Sequence, residues 1–112
     1  MKDLQTVQLL QLPKILDERG NLTFIQSPDH IPFAIKRVFW IYDVPGDETR
    51  GAHAYHRQNE VIVALSGSFT VVVHDGTYEQ RYHLRRPDVA LFLPPLSWRS
   101  MVEFSTNSLS LH

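Results

Sequence analysis

The stretch Arg50-Gly51-Ala52-His53-Ala54-Tyr55-His56-Arg57-Gln58-Asn59-Glu60, followed by Gly67, concentrates the side chains that could do chemistry. A histidine titrates near neutrality, so it can both take a proton and give one. A tyrosine, with an ordinary pKa of about 10, is a usable acid near neutrality but a poor base. Residues two apart in an extended chain share a face. His53 and Tyr55 are therefore expected to point together, with His56 turned to the surface unless a bulge intervenes. Glu60 has two readings, one orienting a pocket group and the other sitting at a strand edge. His74, beside Asp75-Gly76, and His83 read as structural or exposed.

The cations add a second theme. Eight of the eleven are arginine, whose planar fork suits carboxylate or phosphate recognition as well as simple solubility. The formal net charge is -1 and the sequence pI about 6.6, so no basic field holds nucleic acid. There are no cysteines, which removes disulfides, thiolate zinc sites and thiol nucleophiles together. Leu9, Leu10 and Leu12 are interrupted by Gln11 and followed by Pro13. No run approaches the roughly 18–20 apolar residues that a membrane span needs. The expected location is the cytoplasm, with no membrane and no nucleic acid as partner.

The elements that position these groups read as strands. Segment 35–44 mixes β-branched and aromatic residues, and 60–65 leads into Ser66-Gly67-Ser68. Segment 69–74 runs into Asp75-Gly76, a hairpin turn signal because both positions want positive φ. Segment 77–84 alternates Tyr78, Gln80, Tyr82 and Leu84 on one face. Segment 89–93 stops at Pro94-Pro95, and 98–104 and 108–111 supply two further strands. Short strands separated by turns make an all-β sandwich or barrel. No linker or repeat divides residues 1–112, so a single domain is expected. The last strand is expected to leave an open edge, covered by a partner chain or by residues beyond His112.

The spacing His53, Glu60, Gly67 resembles the first motif of the cupins, in which a His-x-His precedes a Glu and a Gly. Tyr55 stands at the second histidine position. Pro94, Leu96 and Arg99 stand where the second cupin motif has Pro, Gly and His. This resemblance implies a single cupin-type barrel, the RmlC-like jelly roll. Of the four metal ligands it would supply, His53 and Glu60 remain. Tyrosine is a poor ligand for ordinary divalent metals, and arginine puts a fixed positive charge where the cation would sit. The expectation is therefore no metal and no cofactor, which also disfavours a metal-dependent oxygenase.

Four blocks carry a narrower resemblance. Asp17-Glu18-Arg19-Gly20-Asn21-Leu22, Ile31-Pro32-Phe33-Ala34-Ile35-Lys36-Arg37-Val38-Phe39, Arg50-Gly51-Ala52-His53-Ala54 and Leu65-Ser66-Gly67-Ser68-Phe69 look like the dTDP-4-keto-6-deoxyglucose 3,4-ketoisomerases, also known as WxcM-like cupins. Pro94-Pro95-Leu96-Ser97-Trp98 follows downstream. The resemblance implies a metal-free isomerase of bacterial deoxysugar biosynthesis, acting on a dTDP-linked sugar through an enediol. It implies a homodimer that exchanges an N-terminal strand, and a chain that is truncated at its C-terminal end relative to the family. It makes His53 the catalytic base, with Tyr55 relaying the hydroxyl proton or donating to the enediolate oxygen. Arg37 and Arg99 are the first candidates for substrate contact. Arg50 and Arg19 either contact substrate or fix loops, and Trp98 and Phe39 either stack on thymine or fill the barrel.

Two alternatives stay open. The chain could be a non-catalytic nucleotide-sugar-binding module, to which Tyr55 lends itself. It could also be a sugar-nucleotide epimerase with a His/Tyr pair, although the other blocks do not favour that family.

Overall fold

The computed structural model describes residues 6–55, 57–74 and 76–112. They form eleven strands and no helix, so the all-β reading holds. In chain order these are β1 (Gln8–Gln11), β2 (Lys14–Asp17), β3 (Gly20–Thr23), β4 (Trp40–Tyr42), β5 (Arg50–His53) and β6 (Glu60–Ser66). They continue with β7 (Phe69–His74), β8 (Glu79–Leu84), β9 (Val89–Leu93), β10 (Trp98–Val102) and β11 (Leu109–Leu111). A five-stranded sheet runs β1-β9-β6-β11-β4 and a four-stranded sheet β5-β10-β7-β8. The hairpin β2-β3 forms its own sheet, and no sheet closes on itself. His56 and Asp75 lie outside the described residues, and with them the surface reading of His56 and half of the predicted turn.

The period of two decides where each side chain goes. In β9, Leu91 and Leu93 join Ile62 and Ala64 of β6, Val71 and Val73 of β7 and Met101 of β10 in the core between the two large sheets. Ala90 and Phe92 of the same strand face the other way, into a second cluster with Leu10, Leu12, Ile31 and Val63. The five-stranded sheet is therefore covered on both faces. That explains why β6 and β9 read as unbroken apolar runs.

Two sequence expectations are corrected. The strand expected over 35–44 shrinks to Trp40–Tyr42. The residues before it fold down onto the sheet, burying Ile31 and packing Phe33 against Phe92, with ring centroids 6.1 Å apart. The open edge expected at the last strand is absent as well. β11 is inserted between β6 and β4, with Ser110 opposite Ala64 on one side and Ile41 on the other. The sheet's edges are β1 and β4. In 77–84 the strand begins at Glu79, and only Leu84 is fully buried.

Gly67 makes the β6-β7 turn with φ +65, where a Cβ would stand 2.8 Å from the Cα of Ser108. Glycine is needed there for both reasons. At the far end of β1, Asp88 is the fastener. Its carboxylate accepts from Arg86 Nε and Nη2, both at 3.0 Å, and from Gln11 Nε2 at 3.0 Å. Its carbonyl accepts from Leu12 N at 2.8 Å. The Arg86 guanidinium, helped by Gln11, holds the Asp88 carboxyl down at about 2.

An aspartate whose folded value lies below the unfolded one adds stability above the unfolded pKa of about 3.9, and loses it as pH falls through the folded value. Urea unfolding between pH 5 and pH 2 is therefore expected to show a steeper loss of stability for the natural chain than for Asp88→Asn. Equal pH slopes would contradict this role for Asp88.

Candidate active site

The site lies at one end of the core between the large sheets. β5 meets β10 with a register shift, Arg99 opposite His53 but Met101 opposite Arg50. The extra residue is a bulge, made at Gly51 with φ +68, and a bulge re-aims the side chains beside it. Antiparallel partners share a face, and Met101 is in the inner core. Arg99, two residues away, therefore faces inward, and His53 with it. Trp98 is of opposite parity and half-exposed.

Tyr55 lies beyond the end of β5, so strand parity does not place it. A backbone contact does, since Leu96 N donates to the Tyr55 carbonyl at 2.6 Å. Leu96 itself has φ 67, and Ser97 Oγ donates to Pro94 O at 2.8 Å to close the turn. The Tyr55 ring then meets His53 edge-on, with centroids 4.8 Å apart and planes at 73°. The expected pairing of His53 with Tyr55 is present, by a turn rather than by a strand.

Two guanidinium groups hold Tyr55. Arg99 lies against the ring face, 4.7 Å from the centroid, the geometry of a cation–π contact. Arg37 Nη2 lies 3.2 Å from the phenol oxygen and donates to it. Arg99 is buried, giving Nη1 to Ser97 O at 3.0 Å and Nη2 to Glu60 Oε1. Burial pulls Arg99 down from its ordinary value and the Glu60 carboxylate opposes that. The guanidinium stays charged throughout. Glu60 is buried in the central strand β6, so its strand-edge reading is corrected.

The second oxygen of Glu60 reaches a residue that the sequence reading missed. His112 Nδ1 lies 3.3 Å from Glu60 Oε2, and Ser110 Oγ lies 2.9 Å from His112 Nε2. The local signal was parity: Ser108, Ser110 and His112 alternate along the last strand, which places a titratable group on the inner face.

His53 is the exception in this satisfied network. Its Nε2 is buried and has no partner among the described residues. Such an orphan is costly, and native structures rarely keep one without a use. Burial first, then the Arg99 cation, lowers the His53 pKa below its ordinary value, while Glu60 opposes them. This favours the uncharged ring, which has a nitrogen lone pair to take a proton.

A cavity of about 520 Å³ adjoins the cluster, lined in part by Lys36, Arg37, Phe39, Tyr55, Arg57 and His112. Its size is that of a small-molecule site. Arg50 is exposed on β5. Arg19 is 90% exposed and ion-paired with Asp17 at 2.8 Å on the separate hairpin. The structure brings together His53, Tyr55, Arg37 and Arg99; it does not bring Arg19, Arg50 or Trp98 to them.

Residues 5–112 match the family model described as FdtA: WxcM-like, C-terminal. The chain belongs to that family. A curated relative, the TDP-4-oxo-6-deoxy-alpha-D-glucose-3,4-oxoisomerase of Aneurinibacillus thermoaerophilus, is 38% identical over 104 residues, covering 93% of this chain and 75% of the relative. The 3,4-ketoisomerase QdtA of Thermoanaerobacterium thermosaccharolyticum superposes with a TM-score of 0.92 at 35% identity, over 97% of this chain and 79% of that one. That structure is a histidine-to-asparagine variant in complex with TDP-4-keto-6-deoxyglucose. The TDP-quinovose 3,4-ketoisomerase WlaRB of Campylobacter jejuni superposes with a TM-score of 0.91 at 34% identity, over 96% of this chain and 83% of that one. The narrow resemblance read from four sequence blocks is therefore correct.

The charge arrangement has a direct readout. An NMR titration of the His53 ring is expected to give a midpoint below 6.5, the ordinary histidine value. Arg99→Gln should raise it, because a cation leaves while the Glu60 carboxylate stays. A midpoint at or above 6.5 in the natural chain would contradict the reading.

Proposed function

We propose that this chain is a TDP-sugar 3,4-ketoisomerase that converts TDP-4-keto-6-deoxyglucose to its 3-keto isomer without a metal. The observation that carries the chemistry is the buried Nε2 of His53, without a partner among the described residues, beside a tyrosine held by two arginines. The family and its named relatives supply the substrate class.

The reaction needs one carbon-bound proton moved and one hydroxyl proton transferred. His53 takes the proton from C3, and the electrons of that bond form the C3–C4 double bond of an enediol as the C4 carbonyl becomes an enolate oxygen. Returning the proton to C4, while the proton on the C3 hydroxyl moves to the C4 oxygen, leaves a ketone at C3. Atoms and charge balance with no oxidant or reductant. Tyr55, its hydroxyl already accepting from Arg37, is free to donate its own proton to the developing oxyanion, the usual role of a polar donor there.

Metal independence is supported by the donor chemistry. Glu60 gives one oxygen to Arg99 and the other to His112. The second-motif position holds a guanidinium, which cannot be a ligand. For the nucleoside diphosphate, Lys36, Arg37 and Arg57 line the cavity beside Tyr55, and charge-assisted contacts suit its phosphates. Arg19, Arg50 and Trp98 are not assigned to the substrate within one chain.

We read the two facing sheets as a cupin-type jelly roll, and the molecule as a homodimer. Exposed Ile15, Leu16 and Leu22 on the β2-β3 hairpin, with exposed Trp40 and Tyr42 on the edge strand β4, support the homodimer. Apolar edges of that kind are normally covered.

The test is conversion of TDP-4-keto-6-deoxyglucose, followed by proton NMR after exhaustive chelation. The expected result is a 3-keto product at an undiminished rate, with Tyr55→Phe lowering kcat roughly tenfold to hundredfold. No product, a ring epimer that keeps the 4-ketone, or activity restored only by added metal would overturn the proposal.

A further inference from the structure

The residues around Tyr55 form a closed ring of contacts, and His112 is where it closes. Along one arm, His112 Nδ1 lies 3.3 Å from Glu60 Oε2, Glu60 Oε1 accepts from Arg99, and the Arg99 guanidinium lies 4.7 Å from the centre of the Tyr55 ring. Along the other arm, the His112 ring stacks on Phe39, with centroids 4.6 Å apart and planes at 10°. Phe39 in turn carries the Arg37 guanidinium 5.0 Å from its centroid. Arg37 then donates to the Tyr55 hydroxyl at 3.2 Å. Both guanidiniums that touch Tyr55 thus rest, through one intermediary each, on His112.

His112 lines the cavity but offers no free ring nitrogen to it. Its side chain is 4% exposed, and both ring nitrogens face protein partners, Nδ1 toward Glu60 and Nε2 toward Ser110 Oγ. In the tautomer that carries its proton on Nδ1, that nitrogen donates to Glu60 Oε2 and Nε2 accepts from the Ser110 hydroxyl. The backbone that carries the ring is held by two further bonds, His112 N to Phe39 O at 2.8 Å and Phe39 N to His112 O at 3.0 Å. A planar group fixed on both edges and one face is a template, and its neighbours inherit its position.

We propose that His112 is a positioning residue that sets the orientation of Tyr55 through two separate arms, Glu60–Arg99 on the ring face and Phe39–Arg37 on the hydroxyl. This rests on the isomerase reading for its effect on turnover, but not for its effect on Tyr55 itself. A flexible phenol beside His53 would donate from many angles. One held at the face and at the oxygen donates from one, and misplacement of a catalytic group by about 1 Å costs on the order of a hundredfold.

Two variants separate the arms. His112→Phe keeps the stack on Phe39 and loses the bond to Glu60. His112→Asn keeps a donor near the Nδ1 position and loses the stack. Each is expected to lower kcat about tenfold with KM changed less than about twofold. In a Tyr55→Phe background the same substitutions should cost less than about twofold, because a group that acts through the Tyr55 hydroxyl has nothing left to place. Equal fold losses in both backgrounds would overturn the proposal. Phe39→Leu removes the stacking partner without touching His112 and supplies the same comparison if neither His112 variant folds.

A second readout needs no turnover. With tyrosine labelled with carbon-13 at Cζ, the Tyr55 signal, assigned by its loss in Tyr55→Phe, is expected to shift in His112→Asn and in Phe39→Leu. An unmoved signal would overturn the proposal. A shifted signal in a protein without isomerase activity would keep the positioning role and remove the isomerase reading. Normal turnover with additive losses would do the reverse.

Discussion

The buried ion pair between Glu60 and Arg99 is the interaction on which the site depends. Glu60 belongs to the five-stranded sheet and Arg99 to the four-stranded one, so the pair ties the two sheets together at the end of the core. It is a poor device for stability alone, because desolvating two charges offsets most of their attraction. Removing one partner, in contrast, leaves a bare buried charge at a cost of about 3–5 kcal/mol. A fold that keeps such a pair constrains both side chains to one geometry. Here that geometry places a guanidinium under the Tyr55 ring and alongside His53 in register.

The same pair governs the charge that His53 meets. Arg99 lowers the His53 pKa and Glu60 raises it, so the two partners of the pair act on the imidazole with opposite signs. Burial is the leading influence on His53 and lowers its pKa. A base that must take a proton and then return it works best when its pKa lies near the working pH. Glu60 and Arg99, at two of the positions that resemble a cupin's metal site, form an internal ion pair. It supplies a fixed cation and consumes the carboxylate that would otherwise be a ligand.

Much of the fold was legible because it is local. The strands β6, β7 and β9 were readable from β-branched runs bounded by the sequence signals Gly67, Asp75-Gly76 and Pro94-Pro95. Segment 35–44 misled because β propensity reports fit to a half-buried surface, and Ile35 and Val38 stay exposed outside any strand, ahead of the short β4. The place of β11 was not legible, since pairing order among strands is a long-range property. The site divides in the same way. His53, Tyr55 and Arg99 lie in motifs, and Arg37 lies in a family block. His112 joins Glu60 across 52 positions and Arg99 joins it across 39, and no local pattern announces such polar pairs.

The proposed isomerisation rests on His53 moving the proton at C3. The most direct measurement is NMR of TDP-4-keto-6-deoxyglucose with the protein in heavy water, run beside His53→Asn. The account predicts deuterium entering the sugar ring together with a 3-keto species, both lost in the variant while substrate binding remains. Exchange that persists in His53→Asn, or substrate bound by the natural chain with no exchange, would contradict it.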